Sequence, residues 1–407
     1  MTNCRFCNAP LETVLVDLGA QPPSNSYLKA ADADEKVYPL RAMVCDACHL
    51  AQLDTTVDPG EIFHDDYAYF SSFSESWVAH AKAYAKQMIA RFGLDASSKV
   101  VEAASNDGYL LQHFVQAGVP VLGVEPSASV AAAARAKGVE TVEAFFNAET
   151  ATRLSAEGHA ADLICANNVL AHVPDINGFV AGFAALLKDD GVLTVEFPHL
   201  LNLLEQVQFD TIYHEHYFYL SLLAVERVFK AHGLRVFDVD ELPTHGGSLR
   251  VYACPAGSSA HLEGPALSKV RAREDAAGFA SGAAYTGFTA KVEAVRAGLL
   301  AFLGQAQADG KTVVAYGAAA KGNTLLNYCA VDAGAIDFVV DANDWKQGQF
   351  LPGSRIPIFP PEHIDAAKPD YVLILPWNLR DEIAAQMERI RAWGGKFVVA
   401  IPKIEVW

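Results

Sequence analysis

From residue 99 onward the chain repeats one plan: a short run of apolar residues, a tight polar turn, then a helix. "SKVVEAASNDGYLLQHFVQAG" follows it, and "VPVLGVEPSASVAAAARAKG" follows it again. "ADLICANNVLAHVPD" and "DGVLTVEFPHL" read as two more buried strands, each ending in polar residues. Strands apolar on both faces and alternating with helices call for a parallel, doubly wound sheet covered on both sides. The middle of the chain is therefore of α/β class, and its ligand belongs beyond the C-terminal ends of the strands.

The turn after the first of these strands, "EAASNDG", carries a single glycine. Close approach of a backbone to a pyrophosphate needs the fuller G-x-G-x-x-G pattern, so an adenosine without phosphates suits this turn better. Glu125 ends the second strand, where a carboxylate can accept both ribose hydroxyl protons; the competing reading is a solvated loop acid. In "VVEAASNDGYLL", "GVEPS", "DLICANNVLAHVPD" and "LLKDDGVLTVEFP" the chain resembles the class I S-adenosylmethionine-dependent methyltransferases, with E-A-A-S-N-D-G where that family has E-x-G-x-G-x-G. The resemblance implies S-adenosylmethionine as cofactor. It would be held by Glu102, Ser105, Asn106, Asp107, Gly108, Glu125, Pro126, Asn167 and Asn168.

Ahead of this sheet stand two C-x-x-C pairs, Cys4 with Cys7 and Cys45 with Cys48. Each can present two thiolates from a tight turn to one tetrahedral Zn2+, and a redox pair would instead follow a strand and open a helix. Four sulfurs close the coordination shell, so the expected metal is structural. Between the pairs lies a Pro-rich loop, "PPSNSYL". Cys165, Cys254 and Cys329 stand alone in apolar stretches and read as buried thiols.

A length of 407 residues favours two or three domains over one core. A formal charge of -17 without any Lys/Arg cluster argues against nucleic acid as partner. No apolar run reaches the roughly eighteen residues of a membrane span, and "MTNCRFCNAP" lacks the layout of a secretion signal, so the expected location is the cytoplasm.

The stretch "FDTIYHEHYFYLS" follows the last parallel strand, on a loop at the ligand end of the sheet. On an extended segment His214 and His216 would share a face, but no cysteine is near to complete a metal shell and Glu215 would point away. Packing suits Tyr217, Phe218 and Tyr219. For the histidines and Glu215, acid and base work remains. Methyl transfer to oxygen or nitrogen needs little beyond alignment, whereas transfer to carbon first removes a proton beside a carbonyl. A histidine suits that task near neutral pH, with a tyrosine or second histidine stabilising the enolate oxygen.

Residues 260–308, rich in Ala, Lys, Arg and Glu, read as long helices bridging two domains. "KTVVAYGAAAKGNTLLNYC", "IDFVVDAND", "PDYVLILPWNLRDEI" and "KFVVAIPKIEVW" then supply a second doubly wound unit. Its "YGAAAKGNT" turn joins two glycines, a cation and a helix N-terminus, which suits a pyrophosphate or serves as a plain strand-to-helix junction.

The ordered set of the four-cysteine module, "DTIYHEH" and "THGGSLRVY" is similar to the nucleotide-sugar C-methyltransferases of deoxysugar pathways, from Cys4 to the end of the chain. Members methylate C3 of a 4-keto-6-deoxyhexose linked to a nucleoside diphosphate. The resemblance implies a zinc-binding module at 1–66, a methyltransferase domain at 67–258, a helical bridge at 259–308 and a nucleotide-sugar-binding domain at 309–407. It also implies His216 as the base, Tyr213 and Glu215 lining the sugar pocket, His172 facing it and Tyr67 closing over it. His214, His245, Tyr316 and Lys321 fall to the substrate, Lys321 to its phosphates, with a thymidine, guanosine or cytidine diphosphate as the handle. Each has a plainer alternative: His172 as cap of the helix after Pro174, Tyr67 and Tyr69 as core aromatics, His245 as the end of a loop. At the level of function the alternatives are an O- or N-methyltransferase and a non-catalytic nucleotide-sugar-binding protein.

Overall fold

The computed structural model of the protein describes residues 2–57, 70–73 and 75–407; Tyr67 and Tyr69 lie outside the described residues. Three sheets organise the described residues. Strands β1 (Thr13–Gln21), β2 (Tyr38–Val44) and β3 (Ala51–Leu53) pair antiparallel in the N-terminal region.

The central sheet begins with β4 (Val100–Ala103), β5 (Val121–Val124), β6 (Thr141–Val142), β7 (Ala161–Asn167) and β8 (Leu187–Pro198), all parallel. Every residue of β4 and β5 is buried, as apolar runs covered on both faces should be. The next strand, β9 (Phe218–Tyr219), leaves this sheet and pairs with β3, Tyr219 opposite Ala51. An antiparallel pair, β10 (Leu234–Leu242) and β11 (Ser248–Pro255), then returns to complete the seven-stranded order β10-β11-β8-β7-β4-β5-β6. The chain runs outward one way through β5 and β6 and the other way from β7, so the crevice opens at the C-terminal ends of β4 and β7.

Local signals set the flanking helices. The helix Glu75–Phe92 stops at Gly93, whose φ of 63° costs a glycine little. Ser221 caps Leu222–Ala231 by accepting from the Ala224 N–H at 3.1 Å. The helix Ile176–Leu186 is capped by Asp175, not His172: its carboxylate accepts from the Gly178 N–H at 2.9 Å.

The bridge consists of the helices Pro265–Ala277 and Phe288–Ala308, and Glu274 fastens it to the central domain. Its carboxylate accepts from the Leu222 and Leu223 N–H groups at 2.7 and 2.8 Å and from His199 Nε2 at 2.7 Å. An anion thus sits on a helix N-terminus, where the backbone dipoles favour it. The C-terminal sheet follows: β12 (Val313–Tyr316), β13 (Val339–Val340), β14 (Ile358–Phe359), β15 (Tyr371–Ile374), β16 (Lys396–Val399) and β17 (Glu405–Val406). Its order is β14-β13-β12-β15-β16-β17, parallel apart from β17, with a second switch point between β12 and β15. One apolar core runs through Leu15 and Leu40 of the N-terminal sheet, Leu203 and Phe209, Val292 of the bridge and Leu326 beyond β12. Among the described residues no helix is long and apolar enough to cross a membrane.

Candidate active site

Two matching turns build the four-cysteine cluster. The N–H of Asn8 donates to Cys4 O at 2.9 Å and that of His49 to Cys45 O at 2.7 Å, and Asn8 and His49 have φ of 62° and 61°. The sulfurs all lie within 4.8 Å of one another, with Cys4–Cys48 at 3.6 Å and Cys7–Cys45 at 3.5 Å. A disulfide would bring two sulfurs to about 2.05 Å. A tetrahedron with Zn–S bonds of about 2.3 Å has edges of about 3.8 Å, so these distances fit a zinc cage. Gln52 Nε2–H donates to Cys4 Sγ at 3.1 Å. The hydrogen bond from Cys48 holds the Cys4 thiol low, at about 4, while the same contact pushes Cys48 up. Full ionisation of the set therefore needs a cation at its centre.

In the central crevice, the turn after β4 bends through positive φ at Ala104 (57°), Asn106 (48°) and Gly108 (75°). At Gly108 a Cβ would meet Val139 at 3.0 Å, and at Gly123 one would meet Ser105 Oγ at 2.4 Å. Glu125 stands over this turn. Its carboxylate accepts from the N–H of Asn106 and that of Ser127, each at 3.0 Å, although burial pushes its pKa up. Glu102 is fully buried at the end of β4, and desolvation, with Glu125 and Asp107 near, raises it well above the carboxylate range. Among the described residues, Glu102 Oε2, Ser105 Oγ, Asp107 Oδ1, Asn167 Oδ1 and both amide atoms of Asn168 are buried without a partner. Each such atom costs about 1–3 kcal/mol, so the crevice is built for a ligand offering both donors and acceptors.

The stretch that follows β8 forms a second constellation beside it. The pair His214–Glu215 forms a turn, closed by the N–H of His216 to Tyr213 O at 2.9 Å. The turn replaces the extended segment on which His214 and His216 would share a face. His214 instead faces the N-terminal sheet, with Nε2–H to Tyr38 O at 3.3 Å, and is not brought to the site. His216 Nδ1–H donates to Thr211 O at 2.9 Å, which leaves Nε2 as the acceptor of the Tyr213 hydroxyl at 2.9 Å. The His172 ring lies 4.6 Å from that of His216, fixed by Nδ1–H to Glu215 O at 2.8 Å.

Burial keeps these imidazoles neutral. It holds His216 well below its ordinary pKa, helped by His172, and brings His172 and His245 to about 4. The acids move the other way, with burial raising Glu215 and Asp210 to about 7. Glu215 Oε1 accepts from Asn25 Nδ2–H at 3.0 Å, and Asp210 Oδ2 from Trp377 Nε1–H at 2.7 Å. Among the described residues, Glu215 Oε2 and Asp210 Oδ1 are buried without partners.

The C-terminal domain closes this cluster. Lys321 Nζ donates to Asn378 Oδ1 at 2.7 Å and lies 4.7 Å over the Trp377 ring; burial lowers its pKa and Asp210 opposes that. Trp377 seats against the "THGG" turn, where a Cβ on Gly246 would come within 2.4 Å of its ring. His245, in the same turn at φ 55°, lies 5.4 Å from the Trp77 ring. Tyr316 shares a face of β12 with Val314 by strand alternation and belongs to an apolar group with Ile364, Ile374 and Ile383, against which Trp377 packs.

Sequence reasoning missed Asn25, Asp210, Trp377 and Asn378. Asn25 and Glu215 are 190 residues apart in the chain, and Asp210 and Trp377 are 167, so no local pattern marks them as partners. A second missed group is Glu196 at the end of β8, held by buried Arg250 at 2.6 Å and by His80 at 3.0 Å.

Three family models match in chain order: "Putative zinc binding domain" over residues 4–63, "Methyltransferase domain" over 77–239 and "C-methyltransferase C-terminal domain" over 243–402. C-methyltransferase NovU from Streptomyces niveus is 38% identical over 405 residues, covering 99% of this chain and 96% of that protein. A ubiquinone biosynthesis O-methyltransferase from Chelativorans sp. (strain BNC1) is 28% identical over 163 residues, covering 35% of this chain and 62% of that protein. Among solved structures, magnesium protoporphyrin IX methyltransferase from Synechocystis PCC 6803 is similar at 17% identity and a TM-score of 0.34, over 48% of this chain and 88% of that one. With a relative matched over nearly its whole length and all three domain models in order, the chain belongs to the S-adenosylmethionine-dependent C-methyltransferases.

Proposed function

We propose that this enzyme adds a methyl group to C3 of a 4-keto-6-deoxy sugar carried on a nucleoside diphosphate, by way of an enolate. One observation carries the reading: neutral imidazoles, a tyrosine hydroxyl and orphaned carboxylate oxygens converge where the central crevice meets the C-terminal domain. A hexose with a keto group and hydroxyls offers partners for those atoms and a C–H acidic enough for a neutral imidazole.

Glu102, Glu125 and the turn from Ser105 to Gly108 would hold S-adenosylmethionine, which would supply an electrophilic methyl group. The chain's own residues make the carbon nucleophilic. The Thr211 carbonyl fixes the tautomer of His216, so that Nε2 carries the lone pair. That nitrogen takes the C3 proton, and the electron pair of the C–H bond moves into a C3–C4 double bond with charge on the C4 oxygen. The Tyr213 hydroxyl, now given to Nε2, turns to donate to this oxygen, while neutral His172, its Nδ1–H held by the Glu215 carbonyl, keeps its ring 4.6 Å from that of His216. C3 would then bond to the methyl carbon as the methyl–sulfur bond breaks and S-adenosylhomocysteine leaves. Lys321 and the glycine turn at the start of the helix Ala320–Tyr328 take the pyrophosphate, and that remote binding holds the sugar in place. Thymidine diphosphate is the expected handle, and His245 completes the proposed pocket.

Incubation with S-adenosylmethionine and thymidine-, guanosine- and cytidine-linked 4-keto sugars tests the substrate class, a mass gain of one methylene being the expected result with one of them. Two narrower outcomes follow from the geometry. Glu125→Gln weakens S-adenosylhomocysteine binding about tenfold or more by calorimetry, as loss of a charged acceptor should. On the pH axis, the histidines are already neutral above about pH 6.5, so their protonation does not limit the base near neutrality. Glu215, proposed to orient the base or a sugar hydroxyl as a carboxylate and raised to about 7, is ionised above that value and protonated below it, so kcat/KM falls as pH drops through about 7. Glu215→Gln should lower kcat and erase that limb; an unchanged limb in the variant would remove Glu215 from this role.

A further inference from the structure

The loop Pro22–Leu28 lies between the two cysteine pairs, yet its bonds run to the other two domains. Asn25 Nδ2–H donates to Glu215 Oε1 at 3.0 Å, and on one side of it Asn323 Nδ2–H donates to Ser24 O at 2.6 Å. On the other side the Tyr27 hydroxyl donates to Ala318 O, in the glycine turn after β12, at 2.5 Å. Leu28 and Phe350 exchange backbone hydrogen bonds at 3.0 and 2.8 Å. The helix that holds Asn323 also reaches the catalytic stretch, Thr324 Oγ1–H donating to Ile212 O at 3.0 Å. Asn25 is thus held from both flanks against the same helix and turn.

Glu215 needs such a partner. It is 3% exposed, and among the described residues the side-chain hydrogen bond to it comes from Asn25. Among the described residues, the titratable groups that face it are His172, whose Nδ1–H takes its backbone carbonyl, Tyr219, and its chain neighbours His214 and His216. Burial keeps all three histidines neutral, so none of these supplies a compensating positive charge. The amide dipole of Asn25 does that work.

We propose that Asn25 is a positioning residue for methyl transfer: its amide fixes the side chain of Glu215 and favours the carboxylate, so that a loop of the zinc-binding domain sets the state of an acid in the sugar site. This rests on the reading of Glu215 as a group that acts ionised in that site.

The test compares Asn25→Asp and Asn25→Ala in the full, zinc-loaded chain. Asn25→Asp places a second carboxyl against the first, and two carboxyls at that distance share a proton. The acid limb of kcat/KM should rise by about one pH unit or more, and kcat at neutral pH should fall about tenfold. Asn25→Ala removes the donor and should shift the limb the same way, by less. Melting temperature and S-adenosylhomocysteine affinity should stay within twofold-equivalent error of the parent, which separates positioning from folding. A second readout needs no substrate: the infrared carboxyl band of Glu215, assigned by its loss in Glu215→Gln, should titrate at higher pH in both variants. Titration at an unchanged pH in both would overturn the proposal, and so would a parental kcat and pH profile in both. If the parent enzyme yields no C-methylated sugar, the substrate reading fails and the infrared titration still decides whether Asn25 governs Glu215.

Discussion

His216→Asn is expected to abolish solvent deuterium exchange at the carbon beside the keto group, and methyl transfer with it, while S-adenosylhomocysteine still binds. The substituted amide can donate to the Thr211 carbonyl as Nδ1–H does now, so the turn from Tyr213 to His216 keeps its anchor. What is lost is the basic nitrogen. Burial holds that nitrogen neutral, so the variant removes a proton acceptor without removing a charge. General base catalysis is worth roughly 100- to 10,000-fold, and a kcat loss of that size is the expected result. Tyr213→Phe should act differently, slowing turnover through a poorer home for the enolate oxygen while leaving the base in place. Parental exchange in His216→Asn would take that residue out of the mechanism.

Removal of the metal should have a comparably large effect by another route. Structural zinc contributes about 10–16 kcal/mol to the folding of small zinc modules, and four thiols of mixed ionisation cannot replace it. The N-terminal sheet it pins is completed by β9, which begins two residues after His216, with Tyr219 opposite Ala51 and Phe218 opposite Gln52. Gln52 in turn donates to Cys4 Sγ, so metal, sheet and catalytic stretch form one run of contacts. Chelation, or Cys45→Ser, should therefore lower the melting temperature and activity together, and zinc should restore both to the chelated enzyme. His216→Asn, by contrast, should lose activity with its melting temperature intact. A metal-free chain that melts and turns over like the parent would contradict a structural role for the cluster.

Much of this was legible in the sequence, and the limit has a physical cause. Strand, turn and helix in the two doubly wound units are local patterns, as are the cysteine turns and the Ser221 cap, so they could be read from neighbouring residues. The assignment of His216, Tyr213 and His172 to one place came from motif order, and the structure brings those three together. The turn at His214–Glu215, which directs His214 to the Tyr38 carbonyl, has no signal in the neighbouring residues. The strand β9 could not be anticipated, because two residues carry no periodicity and their partner lies in another domain. Asn25, Trp377 and Asn378 escaped for the same reason: their meaning arises where separate folds touch.

The most direct measurement uses S-adenosylmethionine labelled with 13C at its methyl group and a thymidine-linked 4-keto-6-deoxy sugar, with the product read by NMR. The account predicts a methyl signal coupled to a fully substituted ring carbon at position 3. A signal at the shift of a methoxy or N-methyl group would contradict it.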